Sequence, residues 1–380
     1  MRILYTNFHR GDGGGHTTYV LSLAGALRNA HDIVVAAPPE SRLFKAASAM
    51  PGVRAEALDF RGGMLAALPN ARRLRRLLVQ ERFDVAHVNG SADHRVCMLA
   101  GLGLGADSPA VVYTQHNDRP ANSFGAMLRA RMATDRVICV SEHTRRKLMG
   151  SAFGRCGLRT VRNGVDVERF RPQAEEAVVA ARRRWLTEAQ AGRLVVGSNA
   201  GTAGYKRWLD MVEAVSLLPA GLRERIVVMI AGELPGELQR RRVRELGMED
   251  QVIFAGLLDD VRSFVAALDV GFVLSSEMET ISFACREMMA MGVPVIVSNA
   301  GGLAENVHAG LDGWVVPARA PQAVAGVLRE ILAQPHLLGP MGRAAREKAL
   351  RDFALSRFVA DTHAVYVEAL AQAQRPLRLA

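Results

Sequence analysis

The sequence predicts an α/β protein built as two Rossmann-like domains facing across a cleft, and three observations carry that prediction. The chain has 380 residues, too many for one ordinary core, so two lobes of about 150 to 200 residues each are expected. Short apolar runs alternate with longer helical patterns, the order that yields a parallel sheet covered by helices on both faces. The series breaks once, at the charged, Ala-rich stretch from Arg171 to Ala191 opened by Arg171-Pro172, and then begins again.

In the first series, strands are expected at Ile3 to Thr6, Asp32 to Ala37, Phe83 to Val88, Ala110 to Thr114 and Arg136 to Val140. In the second they are expected at Leu194 to Ser198, Ile226 to Ala231, Val252 to Ala255, Val270 to Leu274 and Val293 to Val297. From Leu355 onward, Phe358, Val359, Thr362, Tyr366, Ala369 and Leu370 recur at helical spacing and give a final helix one apolar stripe. The division that follows is an N-terminal domain over 1–172, a linker over 173–192, a C-terminal domain over 193–354 and a closing helix over 355–380.

With 49% hydrophobic and 23% charged residues, the composition is that of a soluble globular protein. The N-terminus MRILYTN turns polar from His9 to Gly15, without the apolar stretch of a secretory signal. No run approaches a membrane-spanning length, so a cytoplasmic location is expected. Cys97, Cys139, Cys156 and Cys285 lack CxxC spacing and fit reduced, buried thiols better than disulfides or zinc. A net charge of +10 calls for an anionic partner, whether nucleic acid, a phospholipid surface or a phosphorylated substrate, unless it is only a solvated basic surface. Without aromatic stacking clusters or a recognised binding motif, nucleic acid ranks last of the three.

Four segments carry candidate chemistry. Gly11-Asp12-Gly13-Gly14-Gly15-His16 follows the first strand and precedes a helix expected from about Thr17 to Leu27. Its glycines let backbone amides approach an anion, and the helix N-terminus adds a favourable dipole; a tight loop without a ligand is the alternative. It does not fit GxGxxG with a ribose-binding acid, because Asp32 starts the next strand rather than ending it. His116, in Thr114 to Asp118, stands at the carboxyl end of a buried strand, where open α/β sheets place ligands, as a functional group or a structural hydrogen-bonder. Lys206, in Gly204-Tyr205-Lys206, sets one of the chain's few lysines at a strand-to-helix loop, where a cation can hold a phosphate.

The fourth segment, Ser275 to Val307, is the most informative. Glu279 and Glu287 lie eight residues apart across a loop-to-helix junction; Thr280 or Ser282 can cap the helix, Gly292 ends it and Pro294 begins the next strand. Glu279 is expected just outside the helix N-terminus and Glu287 about two turns inside. A carboxylate within a cleft can accept two vicinal hydroxyls, as on ribose or a hexose. A metal site or a glycosidase pair competes with that reading, but no histidine lies between the two acids. Two solvated helix acids are the default without the flanking pattern.

Together these segments resemble the family 4 glycosyltransferases, retaining enzymes of the GT-B fold, over nearly the whole chain. The resemblance rests on the glycine loop after the first strand, His116, Ser141-Glu142 followed by Asn163-Gly164-Val165-Asp166, and the two glutamates before Gly292-Val293-Pro294-Val295-Ile296. It implies that Glu287 binds the nucleotide ribose and that Glu279 reads the donor sugar's hydroxyls, with Thr280, Ile281 and Ser282 where the backbone meets the sugar. It further implies that Lys206 neutralises the diphosphate, that the amides of Gly14 and Gly15 close over the phosphates, and that His116 lies beside the reacting sugar. The implied reaction needs no metal and no cofactor beyond its donor substrate. A sugar moves from a nucleotide-diphosphate sugar, UDP-sugar foremost, to a glycan or lipid-linked acceptor in bacterial surface polysaccharide or lipopolysaccharide synthesis.

The chain departs from the family pattern twice. Where the family has an arginine five or six residues before the lysine, this sequence has Gly201 and Ala200, leaving Asn199, Thr202 or Arg207 to substitute. Where the family favours Gly-Phe-Gly after the first acid, it has Thr280-Ile281-Ser282. Arg72, Arg73, Arg75 and Arg76 interleave with Leu68, Leu74, Leu77 and Leu78, and Arg119, Arg129, Arg131 and Arg136 form a second basic group. Both suit peripheral attachment to an anionic membrane, or else a solvated helix whose leucines face the core. A GT-B nucleotide-sugar epimerase is the nearest rival function, and a basic nucleic-acid-binding protein is the rival from another class.

Overall fold

The computed structural model describes residues 1–63, 65–277 and 279–373. It divides into two compact units, Met1–Gly164 joined by the segment that begins at Leu355, and Val165–Ala354.

The first unit is a seven-stranded parallel sheet of β1 (Arg2–Thr6), β2 (Asp32–Ala37), β3 (Val53–Ala57), β4 (Val85–Val88), β5 (Ala110–Gln115), β6 (Arg136–Cys139) and β7 (Leu158–Thr160), in the order β3-β2-β1-β4-β5-β6-β7. Its central register pairs Ile3 with both Ile33 and Val85. Continuous apolar strands such as β1 and β5 are buried along nearly their whole length, because helices cover both faces. The strand order reverses between β1 and β4, and at such a switch point loops diverge and leave room for a ligand at the carboxyl ends.

The second unit repeats the plan with six parallel strands. They are β8 (Leu194–Ser198), β9 (Ile226–Ala231), β10 (Val252–Gly256), β11 (Val270–Val273), β12 (Val295–Ser298) and β13 (Gly313–Val316), in the order β10-β9-β8-β11-β12-β13. Here the reversal lies between β8 and β11.

Three strands escape the sequence reading, and all three are edges: β3, β7 and β13. An edge strand is not sandwiched on both faces, so it need not be a continuous apolar run. β3 reads VRAEA and is half-buried, while β7 has only three residues.

The expected linker at 173–192 needs correction. It contains the helix Glu175–Trp185, which packs on the helix Arg262–Ala266 within the second unit, and the division between units falls after Gly164. The Ala-rich, charged composition that suggested a spacer is equally that of a surface helix with acids in its first turn and arginines in its last.

The closing helix is described over Leu355–Ala373, so residues 374–380 of the expected 355–380 span lie outside the described residues. Phe358, Thr362, Val365, Tyr366 and Ala369 form its buried stripe. They pack against β5, β6 and the helix Gly14–Leu27 of the first unit. Among the described residues no helix is long and apolar enough to cross a membrane. On the basic helix Leu68–Glu81, Ala71, Leu74 and Leu78 face the core while Arg72, Arg73 and Arg76 are exposed. The four cysteines are buried and unpaired.

Candidate functional site

In the second unit the loops leaving β8 and β11 flank the switch point. The short turn Gly204–Lys206 ends the first of these loops, and Lys206 Nζ donates to Glu279 Oε2 at 2.6 Å. Ser275 Oγ donates to the same oxygen at 2.8 Å. The Lys206 and Glu279 side chains are only 15% and 8% exposed, so neither charge is well solvated and each depends on the other. A main-chain bond from Ser276 N–H to the Tyr205 carbonyl, 3.0 Å, ties the two loops together.

The Glu279 main chain is held from the far side. Gly302 N–H donates to the Glu279 carbonyl at 3.1 Å. Gly301 has φ of 57°, and a Cβ there would collide with that same carbonyl, so only glycine fits. The turn runs into the short helix Leu303–Asn306, where Asn306 Oδ1 accepts from Arg286 Nε at 2.8 Å. Arg286 is 1% exposed, and its guanidinium lies 4.4 Å from the centre of the Phe353 ring. This buried arginine therefore links the helix that carries Glu287 to the turn that holds Glu279.

That helix is Phe283–Ala290, and its N-cap is Ser282, whose Oγ accepts from Cys285 N–H at 3.2 Å. Glu287 consequently sits early in the second turn, shallower than the two turns expected, because the helix starts after Ser282. Glu287 is half-buried, and Asn199 Nδ2 donates to its Oε2 at 2.7 Å. Burial pushes the Glu287 pKa up to about 7, with the Asn199 hydrogen bond opposing the rise. Thr280, Ile281 and Ser282 are all buried, so their side chains pack inward.

The three residues expected to replace the absent arginine are engaged elsewhere. Asn199 binds Glu287, Thr202 Oγ donates to the Glu233 carbonyl at 2.7 Å, and Arg207 pairs with Asp210 at 2.6 Å. Arg207 is the one cation of the three, and its partner Asp210 is itself buried. Lys206 therefore stands without help from any of them.

In the first unit the helix begins at Gly14 rather than near Thr17, which puts Gly14 and Gly15 in its first turn. Gly14 N–H donates to Asp12 Oδ2 at 2.9 Å, and Arg42 pairs with the other Asp12 oxygen at 2.8 Å. An internal carboxylate thus occupies the amide that the resemblance assigns to a phosphate. Beside this turn the rings of His16 and His116 lie 4.1 Å apart, His9 packs edge-on to His16 at 4.6 Å, and Tyr19 packs edge-on to His116 at 4.6 Å. His116 Nε2 is 2.9 Å from Asn89 Oδ1. Burial pushes the His116 pKa well below its usual value and that of His16 down to about 3, so both rings are neutral. His87 is a structural group: its two nitrogens lie 2.6 Å from Tyr366 OH and 2.6 Å from Thr114 Oγ.

The structure thus joins Lys206 directly to Glu279 and sets Glu287 in the same site through Asn199 and Arg286, while Gly14, Gly15 and His116 gather at the first unit's switch point. Sequence reasoning missed Ser275, Arg286, Asn306, Asn89 and a partner role for His16. The one available signal was a second charged residue, the arginine beside Glu287, in the run FACREMMA, whose other six residues are apolar. Among the described residues, no group of three or more His, Cys, Asp or Glu side chains is placed to hold a metal ion.

Residues 13–169 match the Glycosyltransferase Family 4 model and residues 188–348 match the Glycosyl transferases group 1 model. The chain belongs to the family 4 glycosyltransferases. This glycosyltransferase is 28% identical over 298 residues to a GDP-mannose-dependent alpha-(1-6)-phosphatidylinositol monomannoside mannosyltransferase of Mycobacterium tuberculosis, covering 72% of this chain and 73% of that one. It is 30% identical over 300 residues to D-inositol 3-phosphate glycosyltransferase 2 of Catenulispora acidiphila, covering 76% of this chain and 66% of the relative. Among solved structures it shares its fold with Anabaena Alr3699/HepE in complex with UDP, at a TM-score of 0.82 and 17% identity, over 97% of this chain and 100% of the other. The two parallel sheets are those of the GT-B fold.

Proposed function

We propose that this glycosyltransferase moves a sugar, with retention of anomeric configuration and without a metal ion, from a nucleotide-diphosphate sugar to a glycan or lipid-linked acceptor. The observation that carries the reading is one cation and two carboxylates, Lys206, Glu279 and Glu287, gathered at the carboxyl end of a parallel sheet. The donor offers three matching groups: a diphosphate for Lys206, sugar hydroxyls for Glu279 and the vicinal hydroxyls of ribose for Glu287. When the bond between the anomeric carbon and the phosphate oxygen breaks, negative charge builds on the leaving diphosphate, and Lys206 stabilises it. The acceptor oxygen forms the new glycosidic bond on the same face, and its proton passes to the departing phosphate, so no side-chain base is assigned.

UDP-sugars are the first donors to test, with GDP-mannose the competitor suggested by the mycobacterial relative. That relative is named for phosphatidylinositol monomannoside, which supports a lipid-linked acceptor; a place in bacterial surface-glycan or lipopolysaccharide synthesis is part of the same proposal. The outward arginines of the helix Leu68–Glu81 support peripheral attachment to the inner face of the cytoplasmic membrane. Its leucines support it less, because Leu74 and Leu78 belong to the core.

Thermal-shift and ligand-observed NMR measurements against UDP-, GDP- and ADP-sugars identify the donor, and NMR of the product reports its anomer. An inverted product, or transfer abolished by a chelator and restored by a divalent cation, would overturn the reading. Isomerisation of the free donor without any acceptor would favour an epimerase instead. Failure of anionic liposomes to retain the protein at low salt would remove the membrane element alone.

A further inference from the structure

The site at the β8/β11 switch point is short of positive charge. Lys206 is the cation already assigned there, and its ammonium is matched by Glu279, with Glu287 a second acid in the same site. A diphosphate brings a negative charge on each phosphate, and more develops as it leaves, so the bound donor calls for a further cation.

Arg319 borders the same loops. It lies in the turn between β13 and the helix Pro321–Ala333. That helix packs against the helix Trp208–Ser216, which starts directly after Lys206 and Arg207. Both helices begin at the carboxyl end of the sheet, and neither start is capped by a side chain. The Arg319 guanidinium extends to Glu277, with Nη2 3.7 Å from Oε1. Glu277 follows Ser276, whose N–H donates to the Tyr205 carbonyl, so Arg319 stands beside the loop that is tied to the Lys206 turn.

The backbone at Arg319 is strained. Its φ is 59°, in the left-handed region, and among the described non-glycine residues of the second unit only Arg207 shares that conformation. Glycine takes it freely, so an arginine here carries a backbone cost, of the kind stored at functional sites. The turn is also pinned: Ala318 N–H donates to Asn299 Oδ1 at 3.0 Å, and Asn299 N–H donates to the Val316 carbonyl at 2.8 Å. What glycine lacks is the guanidinium. The two strained arginines differ in how that group is engaged. Arg207 lies 2.6 Å from buried Asp210. Arg319 and Glu277 are 61% and 59% exposed and stand beyond hydrogen-bond distance, so Arg319 leaves its acid at little cost.

We propose that Arg319 swings from Glu277 to the donor's diphosphate and serves, with Lys206, as its second cation. The assignment rests on the nucleotide-sugar reading of the Lys206 site. A guanidinium offers a phosphate two parallel N–H donors, which a point-like ammonium does not. Glu277 competes for the same guanidinium and keeps Arg319 at the site when no donor is bound.

Calorimetry of the full-length protein with UDP, GDP and ADP, ligand-observed NMR with the matching nucleosides, and thermal unfolding together test this. Arg319→Gly is expected to weaken whichever nucleoside diphosphate the wild type binds by about 10- to 100-fold. Its nucleoside binding stays unchanged, and its Tm stays level or rises because the strain is relieved. Arg319→Lys retains part of the affinity, since it keeps the charge and loses the fork. Glu277→Gln, an exposed change that leaves the turn intact, is expected to tighten diphosphate binding by about two- to fivefold by freeing the guanidinium. An Arg319→Gly protein that binds the diphosphate as the wild type does, or that loses nucleoside and diphosphate equally together with Tm, would overturn the assignment and leave the transferase reading standing. Unchanged or weaker binding by Glu277→Gln would also count against it. A wild type that binds none of the three diphosphates would overturn the transferase reading, and this assignment with it.

Discussion

At the β8/β11 switch point a mostly buried ammonium lies 2.6 Å from a buried carboxylate, whereas at the β1/β4 switch point two neutral imidazoles lie tilted with their ring centres 4.1 Å apart beside an aromatic ring. Both places are carboxyl ends of parallel strands where the order reverses, so topology alone treats them alike. The difference comes from side chains. Under the proposed function the charged end suits the ionic donor, with its diphosphate and its sugars, while the imidazole end carries neutral rings and little charge. A shared fold supplies a location for chemistry, and the residues supply the chemistry.

The sharpest way to break this comparison is to remove charge from the charged end. Lys206→Met is expected to lower kcat by about 10²- to 10³-fold, as removal of a preorganised charge stabiliser does. It also leaves Glu279 buried beside Ser275 without its cation, so thermal stability should drop, and Glu279→Gln in the same chain should restore part of it. A Lys206→Met protein with unchanged kcat would show that the diphosphate is neutralised elsewhere.

Next in size is the imidazole end. His116→Ala is expected to reduce transfer by up to about a hundredfold through misplacement of the reacting groups. Calorimetry should show nucleoside diphosphate still binding at nearly its original affinity. Equal loss of both would mean that the two ends do not divide the work as argued.

Gly301→Ala probes the support behind Glu279. Forcing a Cβ against the Glu279 carbonyl at a positive φ should cost about 1–3 kcal/mol of stability and weaken donor binding along with it. Denaturant unfolding together with donor titration reads both effects. If stability drops and donor affinity does not, the turn serves the fold and not the carboxylate.

The smallest effect concerns pH. Burial pushes the Glu287 pKa up to about 7, and under the proposed function ribose hydroxyls would donate to its ionised form. Nucleotide affinity should therefore be weak below pH 7, tighten as pH rises through about 7, and level off above it. The stability sign is opposite. The folded state holds this proton more tightly than the unfolded chain, so Glu287 favours the fold most at low pH, and the advantage is lost as pH rises through about 7. Glu287→Gln should flatten both profiles, and a Glu287→Gln protein that keeps the full pH dependence would assign it to another group.

How much of this was legible beforehand depended on distance along the chain. Glu279, Glu287, the Ser282 cap and the Gly292 stop lie within one local segment whose spacing already marks a loop, a helix and a strand. The central strands were equally readable, since burial on both faces demands an unbroken apolar run, whereas β3 and β7 lie at edges where that demand lapses. The linker was misread because a helix with one buried residue, Ala181, looks like a solvated spacer from composition alone.

The sequence by itself determined the α/β class, the doubled plan and the identity of the two acids and the lysine, because hydrophobic period, caps and turn residues act over a few positions. Only the tertiary structure decided which groups are partners. Lys206 meets Glu279 across 73 residues, Asn199 meets Glu287 across 88, Arg286 meets Asn306 across 20 and Asn89 meets His116 across 27. Such pairs form where parallel strands deliver their carboxyl ends side by side. Whether a charge there is paired, buried or neutral depends on that assembly, since desolvation and hydrogen bonding act between neighbours in space rather than in sequence.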